Sequence, residues 1–402
     1  MKALLIAVGG RGKVEPFLAL AGGLQAAGHG AVVAAPGRFS VLASAGGVPF
    51  AGLDDSLLTL QEQLDAAGVG APRTPYLTES SLWRWLESLR PLLGLDPDVV
   101  VAGPRALGAP AIAEKLGVPL LPAQLTPAAP ATAEFAAPTA PSWTPRVLYR
   151  WSWKTAGAIQ RPWRSIIARW RVERLGLSPQ PVGFARLAAE HGVLSAWSRH
   201  LLPAPADWPA SAHPLGFWTL PASDSAVLPQ HAREFLTGGA PPVLVILDDL
   251  YGAGLKRLAR SIAAGLGLAG RRGLLVARGS GLEPGLVAED LYLVDQLPFP
   301  AVMPHVAAVV HHGSISTIAA ALTAGAPQVT NPSFEDQLFW ARRLHRLGIA
   351  PEPLDRITGQ SLADGIEDAI DRQPAVTAFR EALGDEDGVA AAITRIENAC
   401  RS

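Results

Sequence analysis

"VVHHGSISTIAAALTAGAPQ", Val309 to Gln328, sets two adjacent histidines at the end of an apolar run, followed by a small-residue turn and an alanine-rich stretch. Val306 to Val310 reads as a buried strand and Ser314 to Ala324 as a helix, with Ser314 or Ser316 suited to its cap and Gly325 to its end. His311, His312 and Gly313 then lie on a strand-to-helix turn. Unpaired backbone N–H groups and the positive helix end make such a turn an anion site. A neighbouring imidazole adds a donor, and Ser314, Ser316 and Thr317 add hydroxyls. Zinc fits poorly, because no Cys lies near and no further His, Asp or Glu stands at ligand spacing in the turn. Taken singly, either histidine also fits a buried structural role. Taken together, bulky polar residues are unusual in a turn that otherwise favours small ones.

Downstream, "NPSFEDQLFWARRL" follows another strand end and puts Asp336 and Gln337 just inside the next helix, on the same edge of the sheet. An Asp at a helix start is by itself a favourable charge–dipole pair. Beside an anion turn, an Asp–Gln pair also suits vicinal hydroxyls, and the two together suggest a sugar joined to a diphosphate.

Working outward, the same strand–helix theme recurs through the chain. "ALLIAV", "GHGAVVAAP", "PDVVVAG" and "GVPLLPA" read as strands in the first half, with helices over residues 14–27 and "GAPAIAEKLG". "PPVLVIL", "RRGLLVA", "DLYLVDQ", "VAAVVHH" and "APQVTNP" repeat it in the second, with a helix over residues 255–266. Short apolar strands alternating with helices predict parallel sheets covered on both faces. The expected fold class is α/β, two doubly wound Rossmann-like domains facing a cleft, with ligands at the carboxyl ends of the strands. Residues 1–205 form the N-terminal domain in this reading, 206–240 a Pro/Ala/Ser-rich linker, and 241–402 the C-terminal domain. Residues 126–145 read as a loop. After it, "RVLYRWSWKTAGAIQRPWRSIIARWRVERLGL" carries Trp and Arg on a helical background. Either the Trp residues cover the domain and the Arg residues are solvated, or the segment is an acceptor-facing or interfacial helix pair that makes peripheral membrane contact.

Composition narrows the function classes. The 402 residues exceed one ordinary core, and 49% hydrophobic against 17% charged residues argues against extended disorder. A net charge of −1 gives no basis for nucleic-acid binding. The single cysteine, Cys400, excludes an internal disulfide or a thiolate metal cluster and suits a reducing interior. "MKALLIAVGG" reads as a first strand rather than a signal peptide. No stretch reaches the roughly 20 apolar residues of a spanning helix. The expectation is a cytoplasmic protein without a transmembrane segment.

On these residues the sequence resembles the GT-B-fold glycosyltransferases of family 1, in the bacterial branch near sterol and glycopeptide-antibiotic glucosyltransferases. "GGRGKVEPFLALAGGLQAAGH" is similar to that branch's opening loop and helix, "RPWRSIIARWRVERLGL" to its central segment, and "HHGSISTIAAALTAGAPQVTNPSFEDQLFWARRLHRLGI" to its donor-binding signature. The resemblance implies a C-terminal domain that binds a nucleotide sugar, an N-terminal domain that takes a small hydrophobic acceptor, and a last helix that crosses back. It implies that His311, Gly313, Ser314, Ser316 and Thr317 contact the donor diphosphate and that Asp336 and Gln337 hold sugar hydroxyls. A UDP- or TDP-sugar would be the co-substrate, with no tightly bound cofactor and no metal. Transfer would be direct and inverting.

The departures from that family gather at the same positions. Its opening loop usually carries a hydroxyl residue and then an Asp proposed as general base. Here the loop is Gly9-Gly10-Arg11-Gly12-Lys13-Val14, so Gly10 lacks the hydroxyl and Lys13 stands at the base position, with Glu15 a weak substitute. A lysine ammonium has no lone pair to accept a proton. After the first strand of the second half, Asp248 and Asp249 replace a Gly-Ser turn. A carboxylate about 4 Å from a phosphate costs on the order of 4 kcal/mol at an effective dielectric near 20. Ile315 puts bulk where close approach to a phosphate favours small residues. A second reading follows, in which the scaffold has left nucleotide sugars behind. Lys13, Asp248, Asp249, His311 and His312 then serve as acid, base or electrostatic groups in a cyclisation, elimination or rearrangement. A non-catalytic partner of an active transferase is the third.

Overall fold

The computed structural model describes residues 1–55, 78–158, 163–220, 228, 230–246, 253–277, 285–288, 290–295, 297–333 and 335–401. Two compact units emerge. Among these residues, one comprises 1–55, 78–219 and 386–401, the other 220 and 228–385. The division thus falls within the 206–240 stretch expected as a linker. Residues 206–219 pack in the first unit, and Gln230–Thr237 is a helix of the second.

The first unit is built on six strands, β1 (Lys2–Ile6), β2 (Gly30–Pro36), β3 (Phe50–Leu53), β4 (Val99–Ala102), β5 (Leu120–Gln124) and β6 (Leu194–Ser195). They lie in the order β3-β2-β1-β4-β5-β6, and every pairing is parallel. The apolar run of β1 is buried from Ala3 to Ile6 because helices cover both faces of the sheet. Leu4, Ile6 and Val100 share one core with Leu82, Trp85, Ile112 and Trp170. Helix α1 (Arg11–Ala26) follows β1 directly, with Gly10 at its N-cap.

The last helix (Gly388–Arg401), expected to cross back, packs in this unit. A methyl group on Gly23 of α1 would stand 2.3 Å from Val389 Cγ1, and one on Gly388 would stand 2.3 Å from the carbonyl carbon of Gly216. Only hydrogen fits at those crossings.

The second unit has β7 (Val243–Ile246), β8 (Gly273–Val276), β9 (Gly285–Ala288), β10 (Leu291–Val294), β11 (Ala308–His311) and β12 (Gln328–Thr330), ordered β12-β11-β7-β8-β10-β9. Only β9 runs antiparallel. Side chains alternate between two cores, as a strand period of two requires. Val243, Val245, Leu275 and Val310 pack on one face with Ile262, Leu266, Leu362 and Ile366. Leu244, Ile246, Val276 and Val309 pack on the other with Leu236, Val302 and Ala321.

The Trp/Arg segment follows neither simple rule. Trp153 and Trp170 are buried as covering residues should be, yet Trp151 is 59% exposed, as is Trp143 (79%) in the loop just before the segment. Arg171, expected in solvent, is fully buried. Its Nη2 donates to both Glu114 carboxylate oxygens (2.8 and 3.1 Å) and its Nε to the Ser178 carbonyl (2.8 Å).

Candidate functional site

Two helices open at the carboxyl edge of the second sheet, α2 (Ile315–Ala324) after β11 and α3 (Glu335–Arg346) after β12. The strand starts at Ala308 and takes in His311, two residues later than its expected start at Val306. Gly313 joins strand to helix at φ +87°, a conformation that favours glycine. A methyl group there would stand 3.1 Å from the Gln337 carbonyl oxygen. The turn therefore lies directly against the first turn of α3, and the two sequence motifs converge on one point.

The histidines divide their roles. His311 is 1% exposed. Its Nδ1 accepts from the Gly313 N–H (3.0 Å), so the neutral ring carries its proton on Nε2, which donates to Gln328 Oε1 (3.1 Å). Burial pushes its pKa from 6.5 down to about 3, and the neighbouring His312 pushes the same way against the Gln328 hydrogen bond. The Gly313 N–H thus bonds to the His311 ring within the turn. Both ring nitrogens and that N–H are engaged inside the turn, where His311 braces the backbone. His312 is half-buried, and its Nδ1–H donates to the Asn331 carbonyl (3.0 Å).

Ser314 caps α2 by position, but its side chain accepts no capping bond from the helix backbone. Its hydroxyl instead meets Thr317 Oγ1 at 2.9 Å and Ser316 Oγ at 3.5 Å. The three hydroxyls thus form one cluster over a helix start, the geometry of an oxyanion cradle. Ile315 is 2% exposed. Its bulk, expected to crowd a phosphate, is taken up in the interior. Asp336 and Gln337 are half-buried in the first turn of α3, and Gln337 Oε1 accepts from the Ser333 N–H (2.8 Å).

In the first unit, Gly9 takes φ +127°, and a methyl group on it would stand 2.9 Å from Lys13 Cγ. The Lys13 stem therefore folds over the turn at the carboxyl edge of β1. Arg11 Nε pairs with Glu15 Oε1 at 2.5 Å, both side chains largely covered, so Glu15 is committed to that ion pair. Gly12 lies in the first turn of α1. Asp248 and Asp249 lie outside the described residues. The last residue described before them, Ile246, pairs with His311 across β7 and β11.

Sequence reasoning missed Gln328. It is fully buried on β12, and its amide nitrogen, like the Thr330 hydroxyl, has no hydrogen-bond partner among the described residues. The strand is only Gln-Val-Thr, so no apolar pattern marks the Gln in the sequence. Among the described residues no three His, Cys, Asp or Glu gather as a metal site, and no helix is long and apolar enough to cross a membrane.

Comparison with known proteins adds the family. Residues 277–396 match the family described as Erythromycin biosynthesis protein CIII-like, C-terminal domain. The chain is 31% identical to O-mycaminosyltylonolide 6-deoxyallosyltransferase of Streptomyces fradiae, over 100% of this chain and 96% of that one. It is 30% identical to the sterol 3-beta-glucosyltransferase UGT80B1 of Arabidopsis thaliana, over 98% of this chain and 67% of that one. The Streptomyces sp. SF2575 glycosyltransferase SsfS6, solved in complex with thymidine diphosphate, shares the fold with a TM-score of 0.60 and 20% identity over 99% of each chain. These relatives do not favour a scaffold that has left sugar transfer behind.

Proposed function

The chain belongs to the family 1 GT-B glycosyltransferases, in the branch of natural-product and sterol enzymes, and on that premise we propose how it handles donor and acceptor. The donor is a nucleoside diphosphate sugar, TDP- or UDP-linked. Its diphosphate sits at the start of α2 on the Ser314, Ser316 and Thr317 hydroxyls and the backbone N–H groups of that first turn. Asp336 and Gln337 hold the sugar through its hydroxyls, the carboxylate accepting two hydrogen bonds where the amide accepts one and donates one. The observation that carries this reading is the approach of Gly313 to Gln337, which joins a phosphate-type turn to a hydroxyl-binding pair.

The acceptor is a small hydrophobic alcohol of the macrolide or sterol kind, taken by the N-terminal unit. Its oxygen attacks the anomeric carbon as the bond to the diphosphate oxygen breaks. One displacement inverts that carbon, with no covalent enzyme intermediate. The departing diphosphate gains negative charge, which the helix start and hydroxyl cluster stabilise. Lys13 supplies positive charge at the family's base position rather than a lone pair. We assign the acceptor's proton to His312, whose ring the Asn331 carbonyl orients.

The test is transfer itself, with TDP- and UDP-hexoses offered against macrolactone and sterol acceptors. The expected result is a glycoside whose anomeric configuration is opposite to the donor's, with one nucleoside diphosphate released per product. A product of retained configuration would overturn the mechanism. Donor hydrolysis without glycoside across the whole panel would overturn the acceptor class.

A further inference from the structure

The start of the Trp/Arg segment, with Trp143 just before it, carries an exposed surface that the donor site does not include. Nine large hydrophobic side chains are exposed among the described residues, and four of them, Trp143, Val147, Leu148 and Trp151, fall within nine positions. Scattered single exposures are ordinary, whereas a run of them marks an interaction surface.

The local structure explains why they point outward. A 3-10 turn (Arg146–Leu148) runs into a helix (Tyr149–Ala158). The helix is pinned by one face. Ser152 Oγ accepts from the Ala137 N–H (2.8 Å), and the buried Trp153 donates from Nε1 to the Phe135 carbonyl (3.2 Å). At 100° per residue, Val147, Arg150, Trp151 and Lys154 fall on the opposite side. The solvent face is thus aromatic and aliphatic with cations interleaved one turn apart, at Arg146, Arg150 and Lys154. All three are exposed.

Charge decides the partner. From Phe135 to Lys154 the chain has three Lys or Arg and no Asp or Glu, although its net charge is −1. Asp207 interacts electrostatically with Arg150. Protein interfaces also enrich Trp and Arg, but a cationic face without an acid calls for an anionic partner surface. Trp beside Arg and Lys is the composition of the lipid headgroup zone, where rings sit at the boundary and long cationic stems reach the phosphates.

We propose that residues 141–154 dock this protein reversibly on an anionic lipid surface, with Trp143, Val147 and Trp151 inserted at the headgroup boundary and Arg146, Arg150 and Lys154 on lipid phosphates. The docking is peripheral and depends on salt.

The full chain is to be sedimented with phosphatidylcholine vesicles and with vesicles containing phosphatidylglycerol. Partition onto the anionic vesicles alone is expected, weakening as salt rises. Arg146→Gln/Arg150→Gln/Lys154→Gln loses roughly fivefold in partition per cation removed, and Trp143→Ser/Val147→Ser/Trp151→Ser loses binding. The substituted side chains are exposed, so melting temperatures stay near wild type and identify any variant that misfolds. Brominated lipid quenches wild-type tryptophan fluorescence more than that of Trp143→Phe/Trp151→Phe, which supports insertion without an apolar loss. Absence of wild-type binding to anionic vesicles overturns the proposal. So does equal binding of all variants, or a wild-type dimer that the serine variant dissociates, which would mean a second copy covers the face.

Discussion

Replacing Asp336 with alanine is expected to lower kcat/KM for sugar transfer about a hundredfold, while affinity for the bare nucleoside diphosphate stays within about threefold of wild type. The magnitude follows from the charge. Hydrogen bonds to an ionised group contribute about 1.5–3 kcal/mol, and a carboxylate set against sugar hydroxyls accepts two of them. The split between transfer and nucleotide binding follows from position. Asp336 lies in the first turn of α3, whereas the Ser314–Thr317 hydroxyl cluster lies at the start of α2. Asp336→Asn keeps the size and one acceptor and is expected to fall between. Steady-state kinetics with a competing TDP titration checks this. Equal losses in transfer and in TDP affinity would place Asp336 on the phosphates rather than the sugar.

The second large effect is on stability. His311 has a folded pKa of about 3 against an ordinary 6.5 because burial penalises its charged form. A depressed histidine means that the unfolded chain takes up a proton the folded chain refuses. The contribution of neutral His311 is therefore fully present above about pH 6.5 and is lost as pH falls toward 3, at about 1.4 kcal/mol per pH unit. His311→Asn keeps an acceptor for Gly313 and a donor for Gln328 but has no proton to gain. At pH 8 the variant is expected to be less stable by about 1–3 kcal/mol, the cost of imperfect buried hydrogen bonds. Below pH 6.5 that gap narrows with the slope above and then reverses. Urea unfolding of both proteins between pH 4.5 and 8, roughly the titration window of histidine, measures it. A gap independent of pH would mean that His311 protonates in place.

Much of this architecture is legible in the sequence, and the parts that are not have physical reasons. The interior strands announce themselves as uninterrupted apolar runs because helices cover both faces of each sheet. Three of the four edge strands carry no such signal. Strand β3 is Phe-Ala-Gly-Leu and half exposed, β6 has two residues, and β9 is mostly in solvent. An edge strand has fewer neighbours to demand apolar side chains. The anion turn is legible from its order, strand end, Gly313, hydroxyls, helix. The division of labour between His311 and His312 is not, because it depends on β12 lying beside β11 with Thr330 opposite His311. That register brings Gln328 to the buried ring. Ile315 shows the same limit, since composition gives its bulk and only the fold gives its direction. The tight approach of Gly388 to Gly216 joins residues far apart in the chain, and a lone glycine in a helical pattern does not declare it.

The central claim is that the turn from His311 to Thr317 holds a nucleoside diphosphate. Calorimetric titration of the full chain with TDP and with UDP tests it most directly, alongside the Ser314→Ala/Thr317→Val variant, which removes two hydroxyls and little volume. The account predicts one site per chain for at least one nucleotide, and at least about tenfold weaker binding in the variant from the loss of two hydrogen bonds. Absence of heat from either nucleotide at millimolar concentration, or undiminished affinity in the variant, would contradict it.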